Sequence, residues 1–216
     1  MWLYSKGSRT CMNWELSSSI ATWTRSSAYR MLRGRTDMER KGEAFEEGIQ
    51  LTVVGARLQP GQKAPDFTLE TLPPGQGMPS SIRLQDTAGK VRLLNVINSI
   101  DTPVCQCETR RWEELLSEDV IVYTVSMDLP FALQRWLMEE KAKHQALSSH
   151  KSEEFGHAYG VLLKEWRLLQ RAVFVIDGDG LIRHAEYVAD QMQEPDYQAA
   201  VQAVTQPLIH PKKSPA

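Results

Sequence analysis

The residues best suited to chemistry lie in INSIDTPVCQCETRRW, residues 97 to 112, which holds Cys105 and Cys107 beside Thr102, Pro103, Arg110 and Arg111. Threonine is a favoured helix N-cap, and proline suits the first helical position because its missing N–H would have had no partner there. The string therefore predicts a helix in which Thr102 caps, Pro103 and Val104 follow, and Cys105 takes the third position. Unpaired backbone N–H groups and the positive end of the helix dipole stabilise an anion at that place. A free thiol titrates at about 8.5, and such a site lowers that by about one to several units, so Cys105 is expected to be thiolate-rich at neutral pH. The same donors would hold a substrate oxygen arriving in line with the sulfur, as a displacement at oxygen or sulfur requires. Cys107 points about 200° away on a helix and reads as a packed or idle thiol.

Rival chemistries fail on spacing. A structural zinc site needs four soft ligands, usually with two to four residues between paired cysteines, and the histidines at 144, 150, 157, 184 and 210 show no ligand pattern nearby. No metal is expected. A thioredoxin-type dithiol would place two residues between its cysteines, and only Gln106 stands here. The glycines of Gly178-Asp179-Gly180 join two strand-like runs and do not open a helix, which argues against a phosphate-binding loop.

The elements that must position Cys105 alternate between strand and helix. VRLLNVI (91–97) and VIVYTVSMD (120–128) are apolar, β-branched runs of the kind buried on both faces of a sheet. A helix follows each, the first carrying Trp112, Leu115 and Leu116, the second starting at Pro130 and expected to run to His144 with Leu133, Trp136, Leu137 and Glu140 on one side. LTVV (51–54) and FTLE (67–70) are short strand candidates, and residues 148–166 suggest a short helix and a connecting loop. RAVFVID and LIRHAEYV flank a tight glycine turn as a β-hairpin, and EPDYQAAVQAVTQ closes as a helix. Two βα units, an antiparallel hairpin and a last helix make a three-layer α/β sandwich on a mixed sheet.

The 216 residues suffice for one domain plus a tail. With 42% hydrophobic and 24% charged residues and a net charge of −2, the composition is that of a soluble globular protein with no bias toward nucleic acid or membrane. Three cysteines point to a reducing compartment, and with no membrane-length apolar run or signal-peptide core the expected location is the cytoplasm. Residues 1–37 are rich in serine, tryptophan and arginine, resemble a targeting segment, and read better as a dispensable extension, with Cys11 incidental. The expected division is an extension over 1–47, a domain over 48–207 and a tail over 208–216.

VGARLQPGQKAPDFTLE (54–70), DTPVC (101–105), SMDLPFALQRW (126–136), RAVFVID (171–177) and EPDYQAA (194–200) together resemble the thiol peroxidase branch of the peroxiredoxins, in order over about residues 48–204. The resemblance implies a thioredoxin-like sandwich with an N-terminal β-hairpin, reduction of hydrogen peroxide and organic hydroperoxides without metal, haem or other cofactor, thioredoxin or a low-molecular-weight thiol as reductant, and a homodimer. It places the peroxidatic cysteine at Cys105, its hydroxyl partner at Thr102 and the active-site arginine at Arg135. Two positions depart from the family pattern. Asn98 stands where a proline is usual seven residues before the cysteine, and Leu137 stands where the branch carries its resolving cysteine. Resolution of an oxidised Cys105 would then fall to an external thiol, to Cys107 through a strained CxC ring, or to Cys11. The missing cysteine also keeps open a peroxide sensor or redox relay with poor turnover.

Overall fold

A computed structural model of the chain describes residues 38–205; the extension through residue 37, with Cys11, and the tail from 206 lie outside the described residues. The central sheet has seven strands in the order β11-β10-β5-β6-β7-β3-β4. In chain order these are β3 (Thr68–Thr71), β4 (Ser80–Arg83), β5 (Arg92–Val96), β6 (Ile121–Ser126), β7 (Gln145–Ser148), β10 (Ala172–Ile176) and β11 (Ile182–Tyr187). β5, β6 and β7 run parallel, whereas β10 on one side and β3 on the other are antiparallel to their neighbours. The parallel pairs are joined by helix α1 (Pro103–Leu115) and helix α2 (Pro130–Glu140); α3 (Glu154–Tyr159) follows β7, and α4 (Tyr197–Thr205) closes the chain.

Both faces of the sheet are covered, which is why every residue of β5 is buried and the strand is largely apolar. On one face Trp112 of α1 and Ala200 of α4 pack against Leu93, Val173 and Val175. Asn95, Thr124 and Ala146 are in register across β5, β6 and β7 on that same face, and α2 packs there through Leu133 and Trp136 against Ala146. On the other face Leu94, Val96, Tyr123, Val125 and Leu147 meet Phe155 and Tyr159 of α3. These layers are the expected α/β sandwich. Helix α2 stops at Glu140, short of the expected His144, because Lys141 adopts a left-handed conformation with φ 56°. Glu113 of α1 then accepts the next two backbone N–H groups, from Lys143 at 2.9 Å and His144 at 2.8 Å, which feeds the chain into β7.

A second, four-stranded sheet, β1-β2-β8-β9, is built from β1 (Glu39–Glu46), β2 (Ile49–Val54), β8 (Leu162–Leu163) and β9 (Leu168–Leu169). β1 and β2 form the N-terminal hairpin, closed by Glu47 and Gly48 at φ 48° and 82°, the left-handed pair that tight hairpin turns need. β1 therefore lies within the stretch expected to be an extension before residue 48. Five of the eight residues of ERKGEAFE are charged, which hid its alternation. Ala44 nevertheless turns inward with Leu51, Val53 and Leu163, and buried Arg40 donates to the Gly160 carbonyl at 2.6 Å. β1 also holds the segment after β11: Phe45 N–H donates to Ala189 O at 2.8 Å, and Gln191 N–H donates to Phe45 O at 2.9 Å.

Candidate active site

Parallel β5 delivers its C-terminal end directly into α1, and because β10 runs antiparallel to β5, the start of β10 lies at that same edge. Ala172 is in register with Val96, so Arg171 stands beside the turn that leads to Cys105. β11 reverses again, and the segment after it, with Gln191, returns to the same edge. The topology thus gathers residues far apart in sequence around one helix N-terminus, outside the carboxyl ends of the parallel strands.

Thr102 is the N-cap of α1 in extended geometry and Pro103 is its first residue, which puts Cys105 in the first turn. The Thr102 side chain makes no capping bond; its hydroxyl donates to the Ser99 carbonyl at 3.0 Å, which leaves the oxygen free to accept. Asp128 fixes the turn before the helix, accepting the Ser99 hydroxyl at 2.8 Å and the Ile100 N–H at 2.7 Å. Inside α1, Thr109 donates to the Cys105 carbonyl at 2.7 Å, and Trp112 donates to Asn95 of β5 at 3.1 Å, tying the helix to the sheet.

Cys105 Sγ is fully buried within a cluster that includes Ile97, Ile100, Leu133 and Trp136, against which Leu137 also packs. Arg171 Nη2 donates to Cys105 Sγ at 3.4 Å and to the Gln191 carbonyl at 3.0 Å, while Nη1 pairs with Glu108, one turn along α1. Arg171 and Glu108 are 1% and 0% exposed, so this charge pair is removed from water. Burial pushes the Glu108 carboxyl up to about 7, outweighing the pull of Arg171; Glu108 in turn helps to raise Arg171. Arg171 Nε is also buried, and among the described residues it has no hydrogen-bond partner. It is a charged donor left over beside the sulfur.

Arg135, the arginine expected at the thiol, is turned outward. Its guanidinium pairs with Asp101 at 3.1 Å and with Glu139 at 3.0 Å, and its side chain is 53% exposed. Position 135 falls on the outer face of amphipathic α2, where an i,i+4 partner holds it in solvent. Cys107 lies on the exposed side of α1 beside Arg110, whose main partner is Glu140, and is not brought to Cys105. Asn98 does reach the site, donating through Nδ2 to Leu169 O at 2.7 Å and to Gln191 Oε1 at 3.1 Å. Sequence reasoning missed Arg171, Glu108, Asp128 and Gln191. Of these, Arg171 left a trace, a charged residue immediately before a strand made of buried apolar side chains.

A buried cysteine opening a helix at the edge of a mixed sheet, with an arginine on its sulfur, defines a thiol redox protein of thioredoxin-like fold. The comparisons agree. The AhpC/TSA family model matches residues 60–185. The thiol peroxidase of Bacillus subtilis is 42% identical over 160 residues, 73% of this chain and 93% of that protein. The thiol peroxidase of Streptococcus parasanguinis is 44% identical over 160 residues, 73% and 94%. A solved peroxiredoxin-like protein from Aquifex aeolicus superposes with a TM-score of 0.68 at 30% identity, covering 78% of this chain and 97% of that one. The chain belongs to the AhpC/TSA family of peroxiredoxins, in its thiol peroxidase branch.

Proposed function

We propose that this protein is a thiol-dependent peroxidase in which Cys105 is the peroxidatic nucleophile and Arg171, in place of Arg135, is the arginine that orients the peroxide. The observation that carries the reading is the contact of Arg171 Nη2 with Cys105 Sγ at 3.4 Å in a site closed to bulk water. Cys105, as thiolate, attacks the terminal oxygen of a hydroperoxide; the S–O bond forms as the O–O bond breaks, and hydroxide or alkoxide leaves and takes up a proton. The spare Nε donor of Arg171 and the N–H groups of the first turn of α1 are placed to hold the oxygens as charge moves onto the leaving group. The Thr102 oxygen is placed to accept from the peroxide O–H. Cys105 ends as a sulfenic acid, which a thiol must reduce before more peroxide takes it to the sulfinic state.

Leu137 supplies no resolving thiol, and Cys107, two residues on and on the opposite side of the helix, can reach Cys105 only if the first turn unwinds. An external thiol, either thioredoxin or a low-molecular-weight thiol, therefore resolves Cys105, in a reducing cytoplasmic setting and from a homodimer. Full burial of Cys105 favours a small peroxide as substrate and a small thiol over a protein one unless α1 opens. The domain runs from β1 to α4, with the segments outside 38–205 dispensable for the chemistry.

Leu137 already packs against the Cys105 cluster, which gives Leu137→Cys a defined consequence. This variant is expected to form a disulfide between Cys105 and the introduced thiol with stoichiometric peroxide, seen as a new crosslinked peptide, and to gain turnover with thioredoxin. Steady-state peroxide consumption with each reductant, for wild type, Cys105→Ser and Cys107→Ser, tests the whole reading. Single oxidation of the wild type with no restoration by any physiological thiol would instead identify a peroxide sensor or relay, a reading that the leucine at 137 supports.

A further inference from the structure

We propose that Asn98 and Gln191 form a polar tie whose task is to position Arg171 for the peroxide; this rests on the reading of Cys105 as the nucleophile. Gln191 grips Arg171 at two points. Its side-chain Oε1 accepts the Arg171 backbone N–H at 2.9 Å, and its own carbonyl accepts Arg171 Nη2 at 3.0 Å. The same Oε1 accepts Asn98 Nδ2 at 3.1 Å, and Gln191 Nε2 donates to Val188 O at 2.8 Å and Ala189 O at 3.2 Å, so this buried amide is satisfied at both ends. Asn98 spends its second Nδ2 hydrogen on Leu169 O at 2.7 Å, which joins the end of β5 to the end of β9.

The tie explains a geometry that the ion pair with Glu108 cannot set alone. Glu108 holds only Nη1, about which a guanidinium can still swing; the Gln191 carbonyl on Nη2 and the anchored backbone N–H remove that freedom. What remains is one orientation, with Nη2 on the sulfur and Nε unspent. The place that the family pattern gives to a proline is filled here by an amide that can donate twice, and both donations go into holding this arginine's surroundings. A displacement of about 1 Å in a positioning group can cost about 10²-fold in rate, so a tie of this kind is a kinetic device.

The test uses full-length Asn98→Ala, Gln191→Met and the double variant, and measures two second-order rates at Cys105: oxidation by hydrogen peroxide and alkylation by iodoacetamide. Thiolate population and access enter both rates, whereas alignment of a peroxide by Arg171 enters only the first, so their ratio isolates positioning from general loosening. The ratio is expected to fall about tenfold in Asn98→Ala and about 10- to 100-fold in Gln191→Met. Because the two residues act through one contact, the double variant should be no worse than about the larger single effect. Should Gln191→Met not fold, Asn98→Ala alone carries the prediction. A ratio unchanged in the folded variants while wild-type Cys105 reacts rapidly would overturn the tie and leave the peroxidase reading standing. Failure of wild-type Cys105 to react with peroxide at all would remove both.

Discussion

Arg171→Met is expected to lower the rate of Cys105 oxidation by hydrogen peroxide by about 10²- to 10³-fold, the cost typical of losing one preorganised donor to a developing oxyanion. Methionine fills much of the same volume, so the loss reports charge and hydrogen bonding, not a cavity. The variant also strips Glu108 of its partner, and breaking a buried pair from one side typically costs about 3–5 kcal/mol. Glu108 softens this loss by taking up a proton, to which burial already inclines it. Arg135→Ala is the control: with its guanidinium in solvent between Asp101 and Glu139, its removal should change the oxidation rate by less than about threefold, in line with the small worth of exposed ion pairs. Stopped-flow peroxide kinetics on the two variants decides which arginine serves the thiol, and a large loss in Arg135→Ala with Arg171→Met unaffected would reverse the assignment.

The second large effect is on the pH dependence of folding. Burial raises the Glu108 carboxyl from 4.5 to about 7, so between those values the folded protein holds a proton on Glu108 that the unfolded chain has released. The unfolded state binds fewer protons in that window, and the contribution of Glu108 to stability falls as pH rises. It is present in full below about pH 4.5 and lost as pH passes through about 7, an interval equivalent to about 3 kcal/mol. Glu108→Gln keeps the shape and cannot ionise. Its denaturant midpoint should therefore gain on wild type from pH 5 to pH 8, and parallel pH profiles for the two proteins would refute the assignment.

The parts of this site that were legible in the sequence are local ones. Thr102 and Pro103 are near neighbours of Cys105 whose preferences agree on a helix start, and β5 and β6 announce themselves as largely apolar runs, each followed by such a start. Arg171 and Gln191 could not be read this way. Their place at Cys105 comes from antiparallel pairing of β10 with β5 and of β11 with β10, contacts 66 residues apart for Arg171 and Cys105, and the register of those pairs is not written in either residue's surroundings. Arg135 sits next to recognisable motif residues, yet α2 turns it outward, and nothing in its local sequence says which face of the helix it takes. β1 was hidden because its charged residues are exposed or half-buried or, like Arg40, are buried between the Gly160 carbonyl and the Glu43 carboxylate.

The measurement that bears most directly on Cys105 is intact-protein and peptide mass spectrometry after one equivalent of hydrogen peroxide, with peroxide consumption followed in parallel for wild type and Cys105→Ser. Wild type is expected to gain one oxygen at Cys105, trapped by a sulfenic-acid reagent and removed by added thiol, while Cys105→Ser gains none and consumes no peroxide. Oxygen found at Cys107 with Cys105 untouched, or full peroxide consumption by Cys105→Ser, would contradict the account.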